Sequence, residues 1–252
     1  MSLHDPAQMT QANRSNPVTA RPDGYDTVDY TNSGRRLRGV LAKFSLVVRR
    51  DFYGKFIAEM NPLPGTSILD VGVTPDQTAE DSNYFEQWYP YTEQITATSI
   101  EDASCLESQY PGLTFVRTGG DRLPFEDGQF DVAFSSAVIE HVGTREQQQQ
   151  FLSELMRVSK RFFITTPNRW FPMELHTLLP FVHWLPQRHH QWLLNRTGQA
   201  AWAKTENLNL FDESSLRGIF PNGAAPVIAY TRLLGVRSHL IVYGSSQSSE
   251  EV

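Results

Sequence analysis

The chain predicts an α/β fold built on a doubly wound, seven-stranded, mostly parallel sheet covered by helices on both faces. Two observations carry that expectation. Short apolar runs alternate with segments of helical periodicity from about residue 60 to residue 243. The first of those runs, Ile68-Leu69-Asp70-Val71-Gly72, ends in a carboxylate followed two residues later by a glycine, the way a strand enters a ligand-binding turn at the edge of such a sheet. With 252 residues, 40% of them hydrophobic, the chain is long enough to bury the core of one large domain.

The elements follow in order. Residues 1–33 are polar and rich in Asn, Thr, Asp and Pro, and are expected to form a disordered or loosely docked arm ahead of a single domain over 34–244. From Leu37 the apolar residues Val40, Leu41, Phe44, Val47, Val48, Phe52 and Phe56 recur at helical spacing, and Asn61-Pro62-Leu63-Pro64-Gly65 stops that helix. After the first strand, Ser82 is placed to cap a short helix over 83–89. Strands are expected at 95–100, 113–116, 130–136 and 161–166, with a helix face marked by Phe151, Leu155 and Val158 before the last of these. The segment 167–225 breaks the rhythm with prolines, tryptophans and histidines, and reads as an aromatic-rich insertion or lid after strand five. Two closing strands, 227–230 and 239–243, precede a serine-rich tail, 245–252, expected to be disordered.

Composition excludes several functions. A net charge of −6, with basic residues grouped only at Arg35, Arg36, Arg38 and at Arg49-Arg50, gives no basic face for a nucleic-acid partner. The single cysteine, Cys105, rules out an internal disulfide or a cysteine zinc site and fits a reducing compartment. The N-terminus lacks an apolar signal core, and no window reaches about 18 uninterrupted apolar residues, so no integral membrane segment is expected and the cytoplasm is the expected location. Oligomeric state is not legible.

The carboxylate at the tip of the first strand bears on the ligand. A diphosphate would be repelled by Asp70, whereas a ligand carrying an ammonium and a sulfonium would be attracted; S-adenosylmethionine is such a ligand. The run Leu123-Pro124-Phe125-Glu126-Asp127-Gly128-Gln129-Phe130-Asp131-Val132-Ala133-Phe134-Ser135-Ser136-Ala137-Val138-Ile139-Glu140-His141-Val142, together with Thr165-Thr166-Pro167-Asn168, resembles the class I S-adenosylmethionine-dependent methyltransferases. Within them it is similar to the small bacterial enzymes related to the ubiquinone and menaquinone methyltransferases, over roughly residues 60–243, and the resemblance implies a Rossmann-like sheet.

Carried over residue by residue, the resemblance implies that Asp70, Val71 and Gly72 meet the methionine part of the cofactor. Glu101 then receives the ribose hydroxyls, two acceptor oxygens suiting a vicinal diol, with Asp102 as runner-up. Asp121 would accept from the adenine amino group, although counting back from Leu123 puts the usual position at Gly119. Ser135 and Ser136 would line the pocket beside the sulfonium. The first motif departs from the pattern: Val73-Thr74-Pro75 stands where a further glycine is expected.

The implied reaction is in-line transfer of the methyl group to a small-molecule, sugar or lipid-linked acceptor. A hydroxyl acceptor needs a base, for which His141, Glu174 and His176 are the candidates; each also has a structural reading as a hydrogen-bonded core group. No metal is assigned, because His189 and His190 are adjacent and point apart on a helix, and His176 and His183 have no carboxylate at ligand spacing beyond Glu174. Two other classes stay open. A nicotinamide oxidoreductase should show Gly-x-Gly-x-x-Gly, of which Gly72-Val73-Thr74-Pro75-Asp76-Gln77 has one glycine. A non-catalytic binding or scaffold protein on a methyltransferase fold could carry the altered motif.

Overall fold

The computed structural model describes residues 35–76, 81–118, 122–174, 176–205, 207–221 and 224–246, with the side chains of the first helix described from residue 43. The arm expected over 1–33 and Asp121 lie outside the described residues. The strands are β1 (Ile68–Val71), β2 (Ile95–Ser99), β3 (Thr114–Arg117), β4 (Phe130–Ser136), β5 (Ser159–Pro167), β6 (Val227–Leu233) and β7 (Val236–Ser245). They form one sheet in the order β3-β2-β1-β4-β5-β7-β6. Only β7 runs against its neighbours; β1 to β5 are mutually parallel. Asp70 is in register with Phe134, and Ser136 with Thr165, so the tips of β1, β4 and β5 meet at one carboxyl edge, where open α/β sheets place their ligands.

Each face of the sheet has its own apolar layer. On one, α1 (Arg35–Met60) lays Val48, Phe52, Phe56 and Met60 against the strands. Phe56, fully buried, meets Phe85, Phe134 and Phe163 edge-on with ring centroids 4.9, 5.4 and 5.5 Å away. Burying such a ring contributes about 1.5–3 kcal/mol. Val47 departs from the expected face and is 56% exposed, one helical step off the stripe set by residues 48, 52 and 56. On the other face, Leu152, Leu155 and Val158 of α4 (Arg145–Val158) pack with Leu216 of α6 (Glu213–Arg217). The short helix after β1 is α2 (Tyr84–Trp88); it starts from Asn83 in the left-handed region rather than from Ser82, because the Asn83 amide is committed to the loop before it.

The segment Leu123–Asp127, part of the run that most strongly marks the chain, is held as structure. Arg157 of α4 donates to the carbonyls of Leu123 (3.0 Å) and Phe125 (2.9 Å) and to the carboxylates of Asp127 (2.7 Å) and Glu154 (2.8 Å). Glu154 accepts from the Leu123 amide. The loop thereby delivers Leu123 and Phe130 into the core.

At the C-terminal end the closing strands are longer than the sequence indicates. Leu234 and Gly235, at φ 51° and 82°, make a two-residue turn of the kind that matches strand twist, and a leucine there is not a turn signal. Of the tail expected over 245–252, Ser245 pairs with Arg161 and the Ser246 amide donates to the Lys160 carbonyl, and 247–252 lie outside the described residues. The insertion is shorter than 167–225, because Phe211, Leu216, Ile219 and Phe220 belong to the sheet-covering layer. What remains carries α5 (Gln187–Arg196) and the 3-10 turns Val182–Trp184 and Ala200–Ala203. Among the described residues, no helix is long and apolar enough to cross a membrane.

Removing the clamp should unseat the Leu123–Asp127 loop. Arg157→Ala is expected to cost about 2–4 kcal/mol, since it leaves the Leu123 and Phe125 carbonyls without this donor and Glu154 with the Leu123 amide but without this counter-charge, and to lower the thermal midpoint by roughly 5–15 °C. A midpoint within a degree or so of the parent would show that the loop is held by its apolar anchors alone.

Candidate functional site

The tip of β1 is a tight turn whose geometry depends on Gly72. Its φ is +107°, and a Cβ placed there would stand 2.2 Å from Cγ2 of Val138, so the turn after β1 and the turn after β4 are in contact through a missing side chain. The amides of Gly72 and Val73 both donate to the Thr98 carbonyl, at 2.8 and 3.2 Å. These N–H groups therefore bind β2. Ordering of the Val73-Thr74-Pro75 stretch falls instead to Asn83, which accepts from the Thr74 amide (3.0 Å) and donates to the Thr74 carbonyl (2.8 Å). Asp81 is gripped from α1 by Arg49 (2.8 Å) and Ser45.

Asp70 is buried, and the carboxyl of Glu86, from α2, lies against it. Burial raises the Asp70 pKa well above the usual carboxylate range, and the charge and hydrogen bond of Glu86 raise it further. Burial raises Glu86 as well, partly offset by its hydrogen bond to Asp70. Beyond the Asp70 carboxyl and its own main chain, neither Glu86 oxygen meets a hydrogen-bond partner among the described residues. Two acceptor groups in contact hold together only by sharing a proton or by receiving a cation. Glu86 was not singled out from the sequence; a lone carboxylate among Tyr84, Phe85, Trp88 and Tyr89 is the signal that could have found it.

The remaining sequence-selected positions divide. Glu101 lies just beyond β2, half-buried, with its amide on Ser99 Oγ (3.2 Å). Asp102 is exposed and accepts from the Ser104 amide (3.0 Å), which lowers its pKa and commits it to the turn before the next helix. Ser135 does not line a pocket: it is fully buried and donates to the Val71 carbonyl (2.9 Å), stitching β4 to β1. Ser136 does reach the edge, accepting from the Tyr84 hydroxyl and facing Thr165 Oγ1, both at 3.0 Å. A surface cleft between residues 61–66 and 160–161 opens at the amino ends of β4 and β5, away from this edge.

The three candidate bases meet in space. His141 closes the 3-10 turn Ile139–His141 after β4, and Glu174 and His176 sit on a loop pinned by the Met173–Pro180 bridge. His176 Nδ1 is 2.7 Å from Glu174 Oε1. The His141 and His176 rings stand edge to face with centroids 4.8 Å apart, and Trp202 lies 4.9 Å from His176. Burial opposes a charge on His176, but the Glu174 carboxylate outweighs it and raises the pKa. Glu174, against the cost of its own burial, is held down to about 2 by His176 and Thr177. Each partner thus favours the charged form of the other. His141 is depressed to about 3 by burial and by the neighbouring His176 charge, so it is neutral, its Nδ1 at 2.7 Å from the Asn207 carbonyl. Glu140, which the sequence reading passed over as a site residue, is fully buried; burial lifts it to about 7, and Thr166 donates to its Oε2 at 2.9 Å.

The Asp70–Glu86 pair sets a sign for stability. Both pKa values are higher folded than unfolded, so the native state binds more protons and stability falls as pH rises from the ordinary carboxylate range toward the raised values. Glu86→Gln is therefore expected to stabilise the ligand-free protein at neutral pH by about 1–3 kcal/mol, a rise of several degrees in the thermal midpoint, with a smaller gain in mild acid. A destabilised variant at neutral pH would mean that the pair is not a charge conflict.

Three comparisons bear on this geometry. Residues 69–162 match the family model of a methyltransferase domain. No curated protein sequence matches the chain. Among solved structures, the PH0226 protein from Pyrococcus horikoshii is similar at a TM-score of 0.51 and 14% identity, over 86% of this chain and 94% of that one. The YcgJ protein from Bacillus subtilis is similar at 0.46 and 16%, over 68% of this chain and 66% of that one. A Burkholderia thailandensis 1,6-didemethyltoxoflavin-N1-methyltransferase is similar at 0.49 and 15%, over 86% and 92%. The span from β1 into β5 thus matches a methyltransferase-domain model, and the fold around it is a Rossmann-like one similar to that of the Pyrococcus protein.

Proposed function

We propose that the protein is an S-adenosylmethionine-dependent methyltransferase acting on a small-molecule, sugar or lipid-linked acceptor. The observation that carries this reading is the buried Asp70–Glu86 carboxyl pair at the tip of β1, inside the segment that matches a methyltransferase domain. A carboxyl pair in which neither Glu86 oxygen meets a further donor among the described residues fits an ammonium, which replaces the shared proton and supplies charge-assisted hydrogen bonds. Glu101, just beyond β2, is the candidate for the ribose diol, its two acceptor oxygens suiting a vicinal diol, while Asp102 accepts from the Ser104 amide. Val71 and Gly72 then shape the floor under the methionine portion, and Ser136 its wall. When bound, S-adenosylmethionine supplies a methyl group already activated by the sulfonium charge.

This chain's own work is to align the acceptor and handle its proton. The cluster of Glu140, His141, His176 and Glu174 is the polar end of the acceptor site. Glu174, 2% exposed, acts as a positioning residue through His176. Trp170, Phe181 and Trp184 are 53%, 53% and 39% exposed and stand ring to ring on the same segment after β5 that carries Glu174 and His176, which supports an apolar or planar body for the acceptor.

Calorimetric titration with S-adenosylhomocysteine tests the reading. Asp70→Asn is expected to weaken binding by about 10–100-fold, the worth of a charged hydrogen bond. In the parent, affinity is expected to rise with pH through the raised pKa of the pair, because only the ionised form attracts the ammonium, and in Asp70→Asn that dependence should flatten. Binding that is absent in the parent, or unchanged in the variant, would refute the assignment.

A further inference from the structure

We propose that Glu140, His141 and His176 form a binding site for one divalent transition-metal cation of the zinc type. Their ligand atoms lie within 4.8 Å of one another, although His176 comes from a loop beyond β5 while Glu140 and His141 follow β4. Two imidazoles and one carboxylate are a donor set for such cations, with at least one position left open. Metal–ligand bonds of about 2.0–2.2 Å put ligand atoms roughly 3–3.5 Å apart, so binding draws the three side chains together by about an ångström.

The outer partners make this more than a chance meeting. A ligating histidine is held by a second bond from its other nitrogen to a carbonyl or carboxylate. His141 Nδ1 has the Asn207 carbonyl at 2.7 Å, and His176 Nδ1 has Glu174 Oε1 at 2.7 Å. That leaves Nε2 of His176 as its ligand atom, while Nε2 of His141 lies 4.0 Å from Glu140 Oε1. Glu140 is anchored through Oε2 by Thr166, while Oε1 is buried and has no hydrogen-bond partner. A carboxylate oxygen in that state costs free energy unless a cation or a proton meets it. The His141 and His176 side chains keep 22% and 15% of their surface open, so the site is reachable from one side. The sequence alone pointed to no metal because Glu140 and His141 lie on an element remote from His176.

The chemistry deepens the methyl-transfer reading, on which this consequence alone rests. An acceptor hydroxyl coordinated at the open position loses its proton to solvent at a lower pH than a free one does, and presents its oxygen to the methyl group.

Cation binding is measurable without cofactor or acceptor, so it stands or falls apart from the methyl-transfer assignment. The chelator-treated full chain is titrated with Co²⁺ and followed by its visible d–d absorption, with Zn²⁺ competing. One equivalent of cobalt per chain, displaced by zinc, is expected. Glu140→Gln and His176→Gln should each weaken binding at least 10-fold. Glu174→Gln, which reaches the cation only through His176, should weaken it by about 10–100-fold. His189→Gln, on the exposed face of α5, should leave it unchanged. Circular dichroism shows that each variant is folded. A parent protein that gives no saturable cobalt spectrum, or folded Glu140→Gln and His176→Gln variants that bind as the parent does, would overturn the proposal.

Discussion

The contact between Gly72 and Val138 is the constraint from which the rest of the edge follows. A glycine at φ +107° lets the Val138 side chain occupy the volume that any Cβ would take, which brings the turns after β1 and β4 together. Two residues before Gly72 stands Asp70; two and three residues after Val138 stand Glu140 and His141. The cofactor end and the acceptor end of the proposed site are therefore set relative to one another by one close approach. Ser135 reinforces it with a buried bond to the Val71 carbonyl, and Thr98 does the same from β2 by holding the Gly72 and Val73 amides. Substitution at position 72 would meet both a strained backbone and a filled space.

On this frame sit three buried acidic arrangements, solved in two ways. Glu174 is compensated: His176, Thr177 and the loop around them hold it ionised at 2% exposure. Asp70 meets a second carboxyl, Glu86, in place of a counter-charge, and Glu140 keeps one buried oxygen without a hydrogen bond. Uncompensated buried carboxyls lower stability, and their persistence at the carboxyl edge of the sheet matches a site completed by a positively charged ligand. Behind that edge lie two layers of aromatic and aliphatic side chains.

A resemblance in sequence need not coincide with the chemistry. Leu123–Asp127, within the longest stretch that resembles the methyltransferases, is fastened by Arg157 and Glu154 and directs side chains into the core. Only the end of that stretch, Ser136 to His141, reaches the site. The altered first motif has a comparable explanation: Asn83 and Thr74 replace a second glycine with a reciprocal pair of hydrogen bonds, so the loop is ordered by side chains where the usual pattern relies on backbone freedom.

By itself the sequence determined the sheet, its seven strands and the long first helix, because alternation of apolar runs with helical periodicity is a local property of the chain. It also marked Asp70 and Gly72, whose neighbours in the chain give them meaning. The partners of those residues were beyond its reach. Glu86 is 16 positions from Asp70, and Glu140 and His176 are 36 apart; nothing in the spacing says that they meet, since contact across strand tips is decided by strand order and by how the turns pack. The pairing of Ser245 and Ser246 with the start of β5 and the burial of Ser135 against β1 were decided the same way, by hydrogen bonds between strands that are distant in the chain and adjacent only once the sheet is formed.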